Sequence, residues 1–158
     1  PATGQLKVGI AWAGSPTHKN DHNRSLPIEL LDELFSTNTG VAWFSLQLQP
    51  DDKAKRLIDT ANGVTDLSPH ISDFASTAGL VESMDLIVTV DTSVAHLAGA
   101  LGKPTWLLLP FAPDWRWLLD REDTPWYPNT KLFRQRVAGD WPQVIERIRS
   151  ELQRLAKR

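Results

Sequence analysis

The chain has 158 residues with 17 basic and 19 acidic side chains, a formal charge of −2, so no field of one sign points to nucleic acid or an anionic membrane. It has no cysteine, which excludes disulfides, thiol nucleophiles and cysteine metal sites. No apolar run approaches the roughly 20 residues of a membrane span, and 41% hydrophobic content at this length fits one domain with a real core.

The amino terminus, PATGQLKVGIAW, lacks a signal peptide's charged-then-apolar order and enters a strand almost at once. The chain is therefore expected to be one domain, residues 1–158, of a longer protein. A first strand is predicted over 6–12, then an amphipathic helix over 27–35 with proline near its start. A second strand over 40–47 leads to a short helix over 51–61. A weaker third strand is expected at 63–68, and a helix over 72–84 capped by Ser72 or Asp73. Residues 85–90, DLIVTV, are almost continuously apolar, as in a strand covered on both faces. A small-residue helix runs from Thr92 to Gly102, with Pro104 just beyond. A fifth strand follows over 104–110 and a sixth over 131–135. The last helix, 140–157, carries Val144, Ile148, Leu152 and Leu155 on one stripe.

Strands alternating with helices predict an α/β domain: a Rossmann-like, doubly wound, mainly parallel sheet of about six strands with helices on both faces. Ligands of such sheets bind beyond the carboxyl ends of the strands. That rule nominates the loops after strands one, two, four and five.

The fourth strand runs into Asp91, Thr92 and Ser93, with His96 one turn further on. A helix amino terminus has unpaired N–H groups and a partial positive charge, so a phosphate fits there, with the Thr92 and Ser93 hydroxyls and His96 adding hydrogen bonds. The alternative is that Asp91 or Thr92 merely caps the helix and His96 is a satisfied, half-buried histidine. Neither G-x-G-x-x-G nor a P-loop occurs, so a dinucleotide-binding dehydrogenase half and P-loop hydrolysis lack support. There is no G-x-S-x-G elbow.

HKNDHNR spaces His18 and His22 four apart, but no third ligand stands out, and its Asn and Asp content suggests a flexible loop instead of a metal site. PFAPDWRW places Asp114, Trp115, Arg116 and Trp117 at the ligand edge, either to meet a sugar or partner domain or to pack as anchors of an irregular loop. In REDTPWYP, Trp126 and Tyr127 read as anchors of a solvated turn.

VGIAWAGSPTHKNDHNRSLP, WFSLQ, DFASTAGLVESMDLIVTVDTSVAHLAGALGKPTWLLLPFAPDWRW and TPWYP together resemble the carboxy-terminal half of a GT-B glycosyltransferase of the heptosyltransferase-like family 9. The version the chain resembles ends bacterial tetratricopeptide-repeat proteins. The resemblance implies a nucleotide-sugar donor in this half, transferred to an acceptor with nucleoside diphosphate as leaving group. It implies diphosphate contacts from Gly14, Ser15, Arg24, Asp91, Thr92, Ser93 and His96, and nucleoside contacts from Gln47, Asp73 and Phe74. Asp114, Trp115 and Arg116 are candidates for sugar or interdomain contacts. Ser93 stands where the family has glycine. The general base is expected in the amino-terminal half, outside this chain, with neither metal nor cofactor required. Expected partners are the nucleotide-sugar, that missing half and tetratricopeptide repeats, with no nucleic acid, in the cytoplasm. The competing reading is a catalytically degenerate scaffold or interaction module.

Overall fold

All six strands pair in parallel in the computed structural model, which describes residues 4–15, 17, 19–36 and 40–157. The strands are β1 (Leu6–Ala11), β2 (Val41–Ser45), β3 (Val64–Asp66), β4 (Leu86–Val90), β5 (Thr105–Leu109) and β6 (Thr130–Arg134). The helices are α1 (Asp21–Arg24), α2 (Ile28–Phe35), α3 (Asp52–Thr60), α4 (Phe74–Glu82), α5 (Ser93–Ala100) and α6 (Trp141–Leu155). Sheet order is β3-β2-β1-β4-β5-β6, the doubly wound order expected from the alternation of elements. Val8 of β1 lies opposite Trp43 of β2 on one side and Leu86 of β4 on the other.

Side-chain alternation along each strand divides the core into two layers. Val8, Ile10, Leu86, Val88 and Val90 pack with Leu31 and Leu34 of α2 and Ile145 and Ile148 of α6. On the opposite face, Ile87 packs with Val81 of α4 and Ala98 of α5, and Leu107, Leu109 and Leu132 pack with Ala95. Every residue of β4 and β5 is buried, which explains their largely apolar runs. Ala95 and Ala98, both buried, let α5 lie close on the sheet. Just past the C-cap of that helix comes Gly102, whose φ of +69° suits glycine.

Two details differ from the sequence reading. Residues 21–24 form one helical turn where a flexible loop is expected; four residues are too short to carry an apolar period, and the turn is held by contacts distant in sequence. Its flank is anchored by Leu26 N–H donating to the Trp12 carbonyl at 2.8 Å. Strand β3 spans only three residues, being paired on one side alone. Of the two caps expected for α4, the structure uses Asp73. Among the described residues no helix is long and apolar enough to cross a membrane.

Leu107 is fully buried in the middle of β5. Leu107→Ala should lower stability by about 2–5 kcal/mol, through lost transfer energy and the cavity left behind. The shift of the urea denaturation midpoint measures it.

Candidate functional site

The winding direction reverses between β1 and β4. Their loops therefore diverge and open a crevice at the carboxyl edge of the sheet. The crevice holds a cavity of about 820 Å³ walled by the loops after β1, β2, β4 and β5. Gly14 and Ser15 line it from the β1 side, and Asp91, Thr92, Ser93 and His96 from the β4 side. Gln47, Asp114 and Arg116 complete the wall from β2 and β5.

The first turn of α5 is open to this cavity. Thr92 takes the N-cap position with extended backbone but makes no side-chain cap hydrogen bond. Its hydroxyl instead lies 3.3 Å from that of Thr89, while its carbonyl accepts from Ala95 N–H at 3.1 Å. The simple capping reading of Asp91 or Thr92 therefore does not describe this turn.

Arg24 reaches the same turn from the opposite wall. Its Nη1 donates to the Asp91 carbonyl at 3.0 Å and its Nε to Asp21 Oδ1 at 3.2 Å. Helix α1 aims this side chain, and Gly14 makes room for it. A Cβ on Gly14 would stand 2.6 Å from the guanidinium carbon and 2.7 Å from Asp21 Oδ1. Gly14 N–H donates to the Ser25 hydroxyl at 3.3 Å. Ser15 and Thr17 join their hydroxyls at 2.8 Å on the exposed rim.

Gln47 is buried and braces the loop after β1. Its Oε1 accepts from the N–H groups of Trp12 (3.1 Å) and Ala13 (2.9 Å), and its Nε2 donates to the Leu48 carbonyl at 3.3 Å. It reaches the cavity with its acceptor oxygen already engaged.

His96 sits in an aromatic seat. Its ring stacks on buried Trp117 with centroids 5.4 Å apart and planes 24° apart. Its Nδ1 is 3.0 Å from the Tyr127 hydroxyl, and its Nε2 is 3.7 Å from Asp91 Oδ1. The loop behind the seat is stapled by Arg134, whose Nη2 donates to the Trp117 carbonyl and whose Nε donates to the Arg121 carbonyl at 3.0 Å. Burial pulls the Arg134 pKa below its ordinary value, with Asp120 opposing.

The remaining candidates divide. Arg116 Nη1 pairs with Asp114 Oδ1 at 2.8 Å beside the cavity, and its guanidinium lies over the Trp115 ring at 5.3 Å. The two tryptophans of that loop part company: Trp117 is 1% exposed and Trp115 is 71% exposed. Trp126 is exposed but ties its Nε1 to the Arg116 carbonyl at 2.9 Å. Asp73 and Phe74 are not brought into the main cavity. They border an adjoining groove of about 240 Å³ that shares Leu46, Leu48, Ser93 and Val94 with it. Asp73 forms a capping box, accepting from Ser76 N–H at 2.7 Å while its own N–H donates to the Ser76 hydroxyl at 3.0 Å. The bond from Ser76 N–H is the chief reason its carboxyl titrates below the usual value. His22 lies exposed on α1, and His18 lies outside the described residues. No group of three or more metal-ligating side chains occurs among the described residues.

Sequence reasoning missed Asp21, Gln47 as a brace, and the joining of Tyr127 to His96. Only the last left a trace. Gly99, one turn after His96, is the floor on which Tyr127 rests, and a Cβ there would stand 2.7 Å from Tyr127 Cδ2 and closer still to other ring atoms.

Two outcomes follow. Gly99→Ala should be net destabilising by about 1 kcal/mol or more, because ring displacement (about 1–3 kcal/mol) outweighs the alanine helix gain; thermal unfolding reports it. Asp73 has a depressed native pKa, so its contribution to stability is present above the unfolded carboxylate pKa and lost as pH falls through the native one. Asp73→Asn should therefore flatten the stability decline between about pH 5 and pH 2, read by denaturation at each pH.

The family model for glycosyltransferase family 9 (heptosyltransferase) matches residues 28–108, just over half the chain. Among curated proteins, Protein FlbA of Caulobacter vibrioides is 26% identical over 154 residues, which are 95% of this chain and 25% of FlbA. E. coli heptosyltransferase WaaC with ADP superposes with a TM-score of 0.63 at 20% identity, over 93% of this chain and 45% of that one. E. coli ADP-heptose lps heptosyltransferase II superposes with a TM-score of 0.67 at 17% identity, over 98% and 48%. The chain thus spans a quarter of the curated relative and less than half of either enzyme, and the structural likenesses establish the fold. The family match runs from α2 through β5 and includes the turn that carries Asp91, Thr92, Ser93 and His96; the chain belongs to glycosyltransferase family 9.

Proposed function

We propose that this chain is the donor-binding half of a glycosyltransferase, holding a nucleotide-sugar with its diphosphate over the first turn of α5. The observation that carries this reading is the uncapped start of α5 at the β1–β4 crevice, met by a guanidinium from the opposite wall. Oriented amides and a permanent cation at one point suit a diphosphate. The Thr92 and Ser93 hydroxyls, His96 and the Gly14–Ser15 loop lie where they would complete its shell. The adjoining groove at Asp73 and Phe74, continuous with the cavity at Ser93 and Val94, suits the nucleoside. Asp114 and Arg116 lie on the side left for the sugar, and exposed Trp115 offers a stacking face to a sugar or a facing domain.

In the transfer itself, an acceptor hydroxyl oxygen bonds to the anomeric carbon as the bond from that carbon to the diphosphate breaks. The acceptor proton passes to a general base, and negative charge collects on the leaving diphosphate. Groups already aimed at that charge lower the barrier. In this proposal Arg24, His96 and the α5 amides fill that role without a metal. The base and acceptor site belong to an amino-terminal half, which the chain's coverage of less than half of the two enzymes supports. Tetratricopeptide repeats in the same protein and a cytoplasmic location, where activated sugars are made, belong to the proposal too.

One observation favours a second reading, a degenerate scaffold. Both arginines at the cavity are already paired with aspartates, Arg24 with Asp21 and Arg116 with Asp114, and Asp91 adds a further carboxylate. Calorimetric titration with UDP-, GDP- and ADP-sugars separates the two. Binding of one of them, weakened about 10- to 100-fold by Arg24→Ala and not restored by Arg24→Lys, is expected. Silence with all three donors would favour the scaffold.

A further inference from the structure

We infer that Tyr127 is a positioning residue for His96, selecting the neutral imidazole tautomer whose Nε2–H faces the cavity; its role in ligand binding rests on the donor-binding reading above. The first observation is contact. The Tyr127 hydroxyl is 3.0 Å from His96 Nδ1, and among the described residues it is the side-chain hydrogen bond that defines the His96 ring. The second is shape. Trp117 stacks on one side of the imidazole, and Tyr127 meets it edge-on with centroids 5.9 Å apart and planes at 65°. Gly99 clears the floor for the tyrosine ring, and Arg134 pins the backbone of the Trp117 loop. The ring is thereby confined in tilt and in rotation.

The third observation is electrostatic. His96 Nε2 points toward Asp91 Oδ1 at 3.7 Å, too far for a hydrogen bond but close enough to set polarity. An ionised carboxylate only accepts, so it favours a proton on the nitrogen that faces it. In the neutral ring that leaves the Nδ1 lone pair for the other partner, and a phenol can donate to it. Tyr127 then acts as donor, and Nε2–H is presented to the cavity as a fixed hydrogen-bond donor for an anion. The TPWYP stretch, which composition marks only as a turn, thus reaches the start of α5 from 31 residues away.

The test is Tyr127→Phe, which keeps the ring on Gly99 and against Trp117 and removes only the hydroxyl. Two-bond proton–nitrogen correlation spectra of the uniformly ¹⁵N-labelled chain, recorded at alkaline pH, read the tautomer without any ligand. The wild type should show a protonated Nε2 and a bare Nδ1, and the variant a shift of both nitrogens toward a tautomer mixture. A wild-type signal with the proton on Nδ1, or a spectrum unchanged in Tyr127→Phe, overturns the inference. Titration of both forms with ADP, UDP and GDP is the second arm. Affinity for the nucleotide that binds should fall about 2- to 10-fold in the variant, the weight of one neutral hydrogen bond. A Tyr127-dependent tautomer with no binding by any nucleotide would overturn the donor reading and leave the positioning of His96 standing. Binding unchanged by the variant would overturn the ligand role of Tyr127.

Discussion

The pairing of β1 with β4 is the constraint on which the molecule turns. The chain winds outward from β1 through β2 to β3, returns to place β4 on the other side of β1, and continues to β6. Right-handed crossovers then put α2, α3 and α6 on one face and α4 and α5 on the other. At the reversal, the loops after β1 and β4 leave in opposite directions and cannot fill the space between them. The cavity follows from sheet topology, and its floor begins where the buried strands β4 and β5 end, at Asp91 and Pro110.

That floor is furnished economically in charge. The amino-terminal end of α5 contributes a partial positive potential that no side chain caps. Each nearby guanidinium has a carboxylate companion, Asp21 for Arg24 and Asp114 for Arg116. Such pairing orients a long side chain as well as neutralising it. In the proposed function, an incoming diphosphate would compete with Asp21 for Arg24 while meeting the helix amides directly. Arg24 also holds the Asp91 carbonyl, so the two walls of the crevice are joined before any ligand arrives.

Support for the site comes largely from residues that hold other groups in place. Gln47 spends its oxygen on two backbone amides of the β1 loop. Gly14 and Gly99 serve by lacking a Cβ, the first beneath Arg24 and the second beneath Tyr127. Arg134, on the edge strand, donates to carbonyls of the loop that backs His96. These contacts make the position of His96 a property of three elements: α5, the turn before β6, and the loop after β5.

By itself the sequence determined what local periodicity and short-range chemistry can determine. Largely apolar runs at 85–90 and 104–110 marked buried parallel strands, small residues after Thr92 marked a helix lying close on the sheet, and the change from strand to helix at Asp91 marked the carboxyl edge of the sheet. The resemblance carried by VDTSVAHLAGALGKP led to the family. Only the tertiary structure decided which loops meet. It folded α1 out of a polar stretch, turned Arg24 onto Asp91, separated Asp73 from the main cavity, and buried Trp117 while exposing Trp115. The physical reason is range: a hydrophobic period reports each residue's own face, whereas a hydrogen bond between residues 24 and 91, or 96 and 127, exists only after the sheet has brought their loops to one edge.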